Sequence, residues 1–537
     1  MRAFAPTLLL FLSLTIPTIA YDFDSQKPFN HPSSNNDDRI IEIERYDDEQ
    51  VWRIDWSGYG EKNKNDIMEM VDLFDLDVWH TTRSNIDIRL NSNQLKILQD
   101  IIPPEAFKPF IQDIQSLVDE TLFSIQDYDE FDISEDINQI EEEDVDEVEA
   151  DKGDVISIFK SLKKKKKGKK GKKGGNQRPI PKPEPKPKID PFNLTTIETP
   201  YHDKFHSLKE IYKFGSELIK TFNHSTSINS SSRIIVEEIN IGNTYLGEKL
   251  KGYTAKINHK RSNSIVRANE DNLQGLELEF IIQAGSHGRE WVGPSSALYF
   301  LHHLLLRATS EPNSDAAILL KSFRFTIIPQ INPDGYAHSR DKSRLWRKNR
   351  QDVGGKGNCL GIDLNANWGY KWRSSRSTPC SEGYGGKEAF EAYETKAMSE
   401  YLSSAAERGN RVRAFIDLHS YGQLFMFPFA HSCDDFPPDA EMLMEAGLGV
   451  AKAMRTKQGQ GYEAGQACDL TYRAPGDAID YTYGVTDVRW SYSAELRDTG
   501  TYGFMLPPKL IRPTADEITA GLMYLAKFIY ALEVNPP

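Results

Sequence analysis

His287 and Glu290 stand three residues apart in "FIIQAGSHGREWVGPSSALYF", residues 280–300. The stretch opens on the apolar run Phe280-Ile281-Ile282, breaks at Gly285 and regains apolar periodicity after Pro294. A histidine and a carboxylate on a turn at the carboxyl end of a strand can face one point in space. Catalytic zinc takes three protein ligands of these types and keeps a fourth position for water. The spacing is common by itself, and a surface turn or a helix N-terminal acid uses the same residues. A third ligand has to come from another element. The second strand-end histidine is His419, in "RAFIDLHSYGQ", residues 413–423. Taken alone it reads as a core histidine.

The elements that would hold such residues follow from periodicity. Apolar runs at 276–283, 323–329 and 412–418 read as buried strands, and 294–307 and 386–405 as helices. Alternation of this kind from about Tyr201 onward implies an α/β domain with a mainly parallel, buried sheet. A second compact region spans roughly 50–125. "VWRIDW" puts Trp52, Ile54 and Trp56 on one face, as a half-buried strand does. "NDIMEMVDLF" repeats apolar residues at Ile67, Met70, Val71 and Phe74 like a helix, with Asn65 as its candidate cap. "SNIDIRL" alternates again, and "SNQLKILQDII" returns to helix after Ser92. A small sheet with helices on one face is expected there.

At 537 residues the chain has room for two or three domains. Its net charge of −14 is unevenly spread: residues 128–151 hold thirteen acids and no base, and 163–173 hold nine lysines. Neither tract buries enough apolar surface to offset the entropy of ordering, so 126–200, with its proline-rich end "PIPKPEPKPK", is expected to be a disordered linker. A solvated linker is the expected role of the lysine run, and no nucleic-acid partner is expected. Residues 1–20 carry Arg2, an apolar core from Leu8 to Leu14 and small residues at Thr18 and Ala20. That is the pattern of a signal peptide, not a membrane span. A secreted or extracellular protein is expected, with the vacuole as an alternative destination. Four cysteines, Cys359, Cys380, Cys433 and Cys468, suit disulfides in that setting, with three connectivities open from counting alone. Asn193, Asn223 and Asn229 are candidate glycosylation acceptors.

Beyond the His287–Glu290 spacing, the chain carries "INPDGY" (331–336), "RLWRKNR" (344–350) and "ELRDTGTYGFMLP" (495–507), in that order. In these motifs it resembles the zinc carboxypeptidases of the pancreatic A/B type, over nearly everything after the leader. The resemblance implies a carboxypeptidase fold over 201–537, preceded by a small α+β activation domain over 21–125. It implies one Zn2+ per chain on His287, Glu290 and His419. Glu495 matches the general base and Arg347 the arginine that steadies the oxyanion. Asn365 matches half of the clamp on the substrate's terminal carboxylate, and Tyr472 the mobile tyrosine over it. Arg289 matches an accessory substrate contact, and Ile479 the floor of the side-chain pocket, which favours apolar residues; nearby Asp477 would favour basic ones. Disulfides Cys359–Cys380 and, with it, Cys433–Cys468 are implied.

One position departs from the family. The clamp arginine that should follow Asn365 is Ala366. Losing a bidentate arginine–carboxylate pair in a partly buried site costs roughly 2–5 kcal/mol. The activation domain, "NWGYKW", "YRAPGDAID" and the cysteine pattern are similar to a fungal branch linked to cell-wall organisation and commonly regarded as inactive, usually through loss of the base glutamate. Here that glutamate is present as Glu495. Two readings follow: a metal-binding protein impaired or inactive as an ordinary carboxypeptidase, or an active zinc exopeptidase. Its partners would be peptide or protein C-termini, or a cell-wall component.

Overall fold

The computed structural model describes residues 43–57, 61–122, 192–223, 232–259, 275–354, 359–374 and 378–536. The expected leader, nearly all of the linker and Asn229 lie outside these residues. Residues 43–122 and 192–536 belong to one compact unit.

The N-terminal part is a four-stranded antiparallel sheet, ordered β2-β3-β1-β4, made of β1 (Glu49–Asp55), β2 (Asp77–Thr81), β3 (Asn85–Asn91) and β4 (Phe107–Ile111). Helices α1 (Glu61–Leu73) and α2 (Ser92–Ile101) cover one face. Alternation decides which residues go where. Ile54 and Trp56 pack with Val71 and Leu98 under the helices, while Val51 and Trp79 face the other way. That second face is apolar too, and it shares a core with Leu345, Tyr421, Phe504 and Met505 of the larger domain. Asn91 caps α2 through a reciprocal box with Gln94. Asn65 is not a cap: α1 begins four residues earlier, at Glu61.

The larger domain is built on an eight-stranded mixed sheet in the order β11-β10-β12-β9-β7-β8-β6-β5. The strands are β5 (Ser232–Asn243), β6 (Lys249–His259), β7 (Glu277–Ala284), β8 (Phe323–Ile328), β9 (Asn410–Ser420), β10 (Leu424–Phe427), β11 (Glu463–Gln466) and β12 (Trp490–Leu496). The central strands β12, β9, β7 and β8 run parallel, with antiparallel pairs toward the β5 edge. Both faces are buried, which explains why the centre of β7, Phe280-Ile281-Ile282, is apolar without alternation. Ile281 joins Phe415, Trp368 and Met398 on one side; Phe280 meets Phe325, which meets Phe300, on the other. The helix expected at 386–405 is shorter, Tyr393–Ser403, and the domain begins earlier than residue 201. Leu194 is already buried, and its carbonyl accepts from His302 Nε2 at 3.0 Å.

Candidate active site

The ends of three adjacent parallel strands meet at one point. β7 ends at Ala284 and turns through Gly285, at φ +75°, into the segment carrying His287 and Glu290. Gly288 in that turn has no room for a side chain: a Cβ there would stand 2.5 Å from the Gly335 carbonyl oxygen. Its amide donates to the Arg347 carbonyl at 2.8 Å, so the turn and the arginine share one anchor. β9 carries His419 near its end, and Glu495 on β12 lies in register with it.

Both histidines turn Nδ1 to the same carboxylate. His287 Nδ1 is 2.6 Å from Glu290 Oε1, and His419 Nδ1 is 3.1 Å from Glu290 Oε2. One ligand atom from each of the three lies within 4.8 Å of the others, and all three residues are buried. Each opposite ring nitrogen has its own acid. His287 Nε2 is 3.0 Å from Asp363 Oδ1, and His419 Nε2 is 3.1 Å from Asp417 Oδ2. Metal-binding histidines are oriented by such acids, so this donor set fits a zinc ion. Asp363 also takes two bonds from Arg347, at 3.1 and 3.0 Å. Asp417 is held by Gln283 at 3.0 Å and Ser286 at 3.1 Å. Neither acid was singled out from the sequence. For Asp417 a signal was there: two positions before His419 on a strand is the same face.

Charges follow the geometry. Burial works to raise Glu290, but the two histidines outweigh it and hold the carboxyl well below its usual range. Burial pushes Glu495 up to about 8, with Glu290 adding and His419 and Arg347 opposing. Its Oε2 is buried and has no hydrogen-bond partner among the described residues. A carboxyl in this state is suited to taking a proton near neutrality.

The cavity over these groups is also lined by Arg347, Asn365, Tyr472 and Asp477. Ile479 is not at its floor: that side chain is fully buried in the core with Trp368 and Phe415. The cap of the short helix Ala478–Gly484, Asp477, faces the cavity in its place. Asn365 is already engaged, donating to Asp477 Oδ2 at 2.9 Å and accepting from the Ala478 amide at 3.1 Å. Arg289 does not reach the cavity. It is fully buried and gripped by Asp77 of β2, at 2.9 and 3.0 Å, with its guanidinium 4.2 Å from the Phe504 ring centre.

Val78, Trp79, His80 and Thr81, from the N-terminal sheet, line the cavity as well. Gly422 allows that approach: a Cβ there would stand 2.9 Å from His80 Nε2 and 3.2 Å from Glu495 Cβ. Both disulfides, Cys359–Cys380 and Cys433–Cys468, are formed. Of the candidate glycosylation acceptors, Asn193 is exposed and Asn223 is half-buried at the end of its helix. The Asn223 amide pairs with Val236 of β5 at both ends, at 2.7 Å each.

A mixed sheet presenting two histidines and a glutamate at its strand ends, with an acid behind each histidine, defines a metallopeptidase-type site. The zinc carboxypeptidase family profile matches residues 224–521, and the chain belongs to that family. Among relatives, it is 34% identical over 316 residues to the inactive metallocarboxypeptidase ecm14 of Talaromyces stipitatus, covering 55% of this chain and 51% of that one. It is 33% identical over 341 residues to the inactive metallocarboxypeptidase ECM14 of Saccharomyces cerevisiae, covering 62% and 73%. The chain thus spans about half the length of the first of these curated relatives. Bovine thrombin-activatable fibrinolysis inhibitor, solved with tick carboxypeptidase inhibitor, is 29% identical, at a TM-score of 0.52, covering 62% of this chain and 99% of that one. Carboxypeptidase A of Helicoverpa armigera shares the fold at a TM-score of 0.64 and 21% identity, over 90% of this chain and 98% of that one. Among the described residues no helix is long and apolar enough to cross a membrane.

Proposed function

We propose that the protein is a secreted member of the family that holds one zinc ion but is impaired as an ordinary C-terminal exopeptidase. The observation that carries this is the state of the carboxylate clamp. Asn365 has both ends of its amide occupied within the protein, by Asp477 and Ala478. The next residue is Ala366, which offers no charge. Arg473, the other cation of that segment, points elsewhere: it is 61% exposed and pairs with Asp434 at 3.1 Å. The fungal relatives are named inactive metallocarboxypeptidases, which supports the same reading. Secretion rests on the leader-like residues 1–20 and suits a chain with two disulfides. A role in cell-wall organisation rests on the resemblance to the fungal branch.

His287, Glu290 and His419 would hold the zinc, which when bound polarises a carbonyl and lowers the pKa of water. Asp363 and Asp417 keep each histidine's Nδ1 turned inward. Glu495 accepts the proton of the attacking water. Arg347, fixed by Asp363, faces the carbonyl oxygen and offsets charge that develops in the transition state. These parts are retained, and they favour the second reading, an active exopeptidase. What the chain lacks is the device that anchors a C-terminus.

Purified protein should carry near-stoichiometric zinc yet release few or no terminal residues from a peptide library. Release at rates typical of active carboxypeptidases would establish the second reading, and zinc-free protein at saturating metal would remove both.

A further inference from the structure

A third histidine faces the cavity, and it comes from the N-terminal sheet. His80, on β2, lines the cavity together with His287, Glu290, His419 and Glu495. It is 8% exposed, and neither ring nitrogen has a hydrogen-bond partner among the described residues. Buried imidazoles rarely stay unpartnered, because solvent is lost with no bond in return. Glu495 is in the same state, with Oε2 buried and unpartnered. The two groups flank one point. A Cβ on Gly422 would stand 2.9 Å from His80 Nε2 and 3.2 Å from Glu495 Cβ, so glycine keeps a side chain from coming between them.

The ring is also fixed from behind. Its Nδ1 lies 3.8 Å from Asp87 Oδ2, too far for a direct bond, and Asp87 is itself held by Arg53 at 2.6 and 2.7 Å. Its face stacks on Tyr421, with ring centres 5.3 Å apart and planes at 29°. One ring nitrogen toward an acid and the other toward the site is the arrangement of His287 and His419 too. His80 nevertheless stands outside the three residues whose ligand atoms lie within 4.8 Å of one another. Its chemistry here is to bond solvent, not metal. The cavity, about 100 Å³, has room for several waters.

We propose that His80 is a residue of the metal site supplied by the N-terminal sheet: with Glu495 it holds the solvent molecule that faces the three metal ligands. The N-terminal sheet is then part of the site, beyond covering it. This rests on the reading above in placing zinc on His287, Glu290 and His419.

The test uses the full-length protein loaded with cobalt in place of zinc, because the visible spectrum of cobalt reports the groups and solvent around the ion. His80→Phe keeps a ring on Tyr421 and removes both nitrogens. It should shift the cobalt bands and weaken the metal about tenfold in a chelator competition, as loss of a supporting hydrogen bond at a metal site does. A urea profile should show the N-terminal sheet still docked. His80→Gln, which restores a donor and an acceptor, should lie between His80→Phe and the wild type, whereas a ring that serves packing alone would predict no such order. If the phenylalanine variant does not fold, His80→Leu takes its place beside His80→Gln. A spectrum and a metal affinity unchanged in the folded phenylalanine or leucine variant would overturn the proposal and leave the metal reading standing. Wild-type protein that takes up no metal at saturation would overturn both.

Discussion

Replacing Asp77 with alanine strips the counter-charge from Arg289 and tests how firmly the N-terminal sheet is tied to the peptidase domain. The pair is buried on both sides, with the arginine 0% and the aspartate 7% exposed, and it is bidentate at 2.9 and 3.0 Å. Burial works to raise Asp77, but Arg289 and Arg89 outweigh it and keep the carboxyl below its usual range. In Asp77→Ala, Arg289 keeps a 3.4 Å contact to the Leu345 carbonyl, the Phe504 ring and the longer-range charge of half-buried Glu382. Breaking one partner of a buried pair costs about 3–5 kcal/mol, because the remaining charge stays desolvated. If felt wholly in docking, that is roughly two to three and a half orders of magnitude in the docking equilibrium. The apolar contact of Trp79 with Phe504 and of Phe504 with Tyr421 is untouched, so docking should weaken without vanishing. Urea unfolding of the full chain, followed by tryptophan fluorescence, should show the N-terminal transition moving to lower denaturant. The double variant Asp77→Ala/Arg289→Met should recover part of the loss, since it removes the unpaired guanidinium and leaves Arg89 paired with Glu49 at 3.4 Å, while Trp79 Nε1 still lacks the acceptor it had at 3.0 Å. A cost below about 1 kcal/mol, or a double variant no better than the single, would refute this account of the interface, because a broken buried pair should exceed that.

Three further outcomes are expected. Asp417→Asn should bind zinc about 10- to 100-fold more weakly in a chelator competition, as loss of an acid behind a metal-binding histidine does, whereas His287→Ala should abolish stoichiometric binding; equal affinity in folded Asp417→Asn protein would remove the positioning role. Acid should destabilise the protein through His202 and His302, whose ring nitrogens Nε2 and Nδ1 lie 3.0 Å apart: burial lowers both, His302 to about 4. Because the folded form resists protonation, this stability is complete above the unfolded value of about 6.5 and is lost as pH falls from there toward 4, which urea midpoints at pH 7.5 and 4.5 should report and His302→Gln should flatten. Reducing the disulfides should cost about 3–4 kcal/mol each on the loop-entropy account, for loops of 21 and 35 residues; a urea midpoint unmoved by reduction would show that the loops are held by packing alone.

Much of the site could be read along the chain because its determinants are local. Apolar runs of strand length predicted β7, β8 and β9, and a parallel strand delivers its terminal residues to one edge of the sheet, so His287, Glu290 and His419 were recognisable with their motifs. Alternation in "VWRIDW" assigned Ile54 and Trp56 to the face under the helices for the same reason. Tertiary structure decided what periodicity cannot carry. The direction of a side chain in a seven-residue helix sent Ile479 into the core and left Asp477 on the cavity. Packing of a second apolar face, unmarked in the alternation, brought Asp77 to Arg289 across 212 positions of sequence. Asn223 has the sequence of a glycosylation acceptor, and its amide also pairs with Val236 because a neighbouring strand arrives there. Residue types and spacing settled which groups can do chemistry; which of them remain free to do it depended on partners distant in sequence, since hydrogen bonds and ion pairs form wherever folding brings complementary groups together.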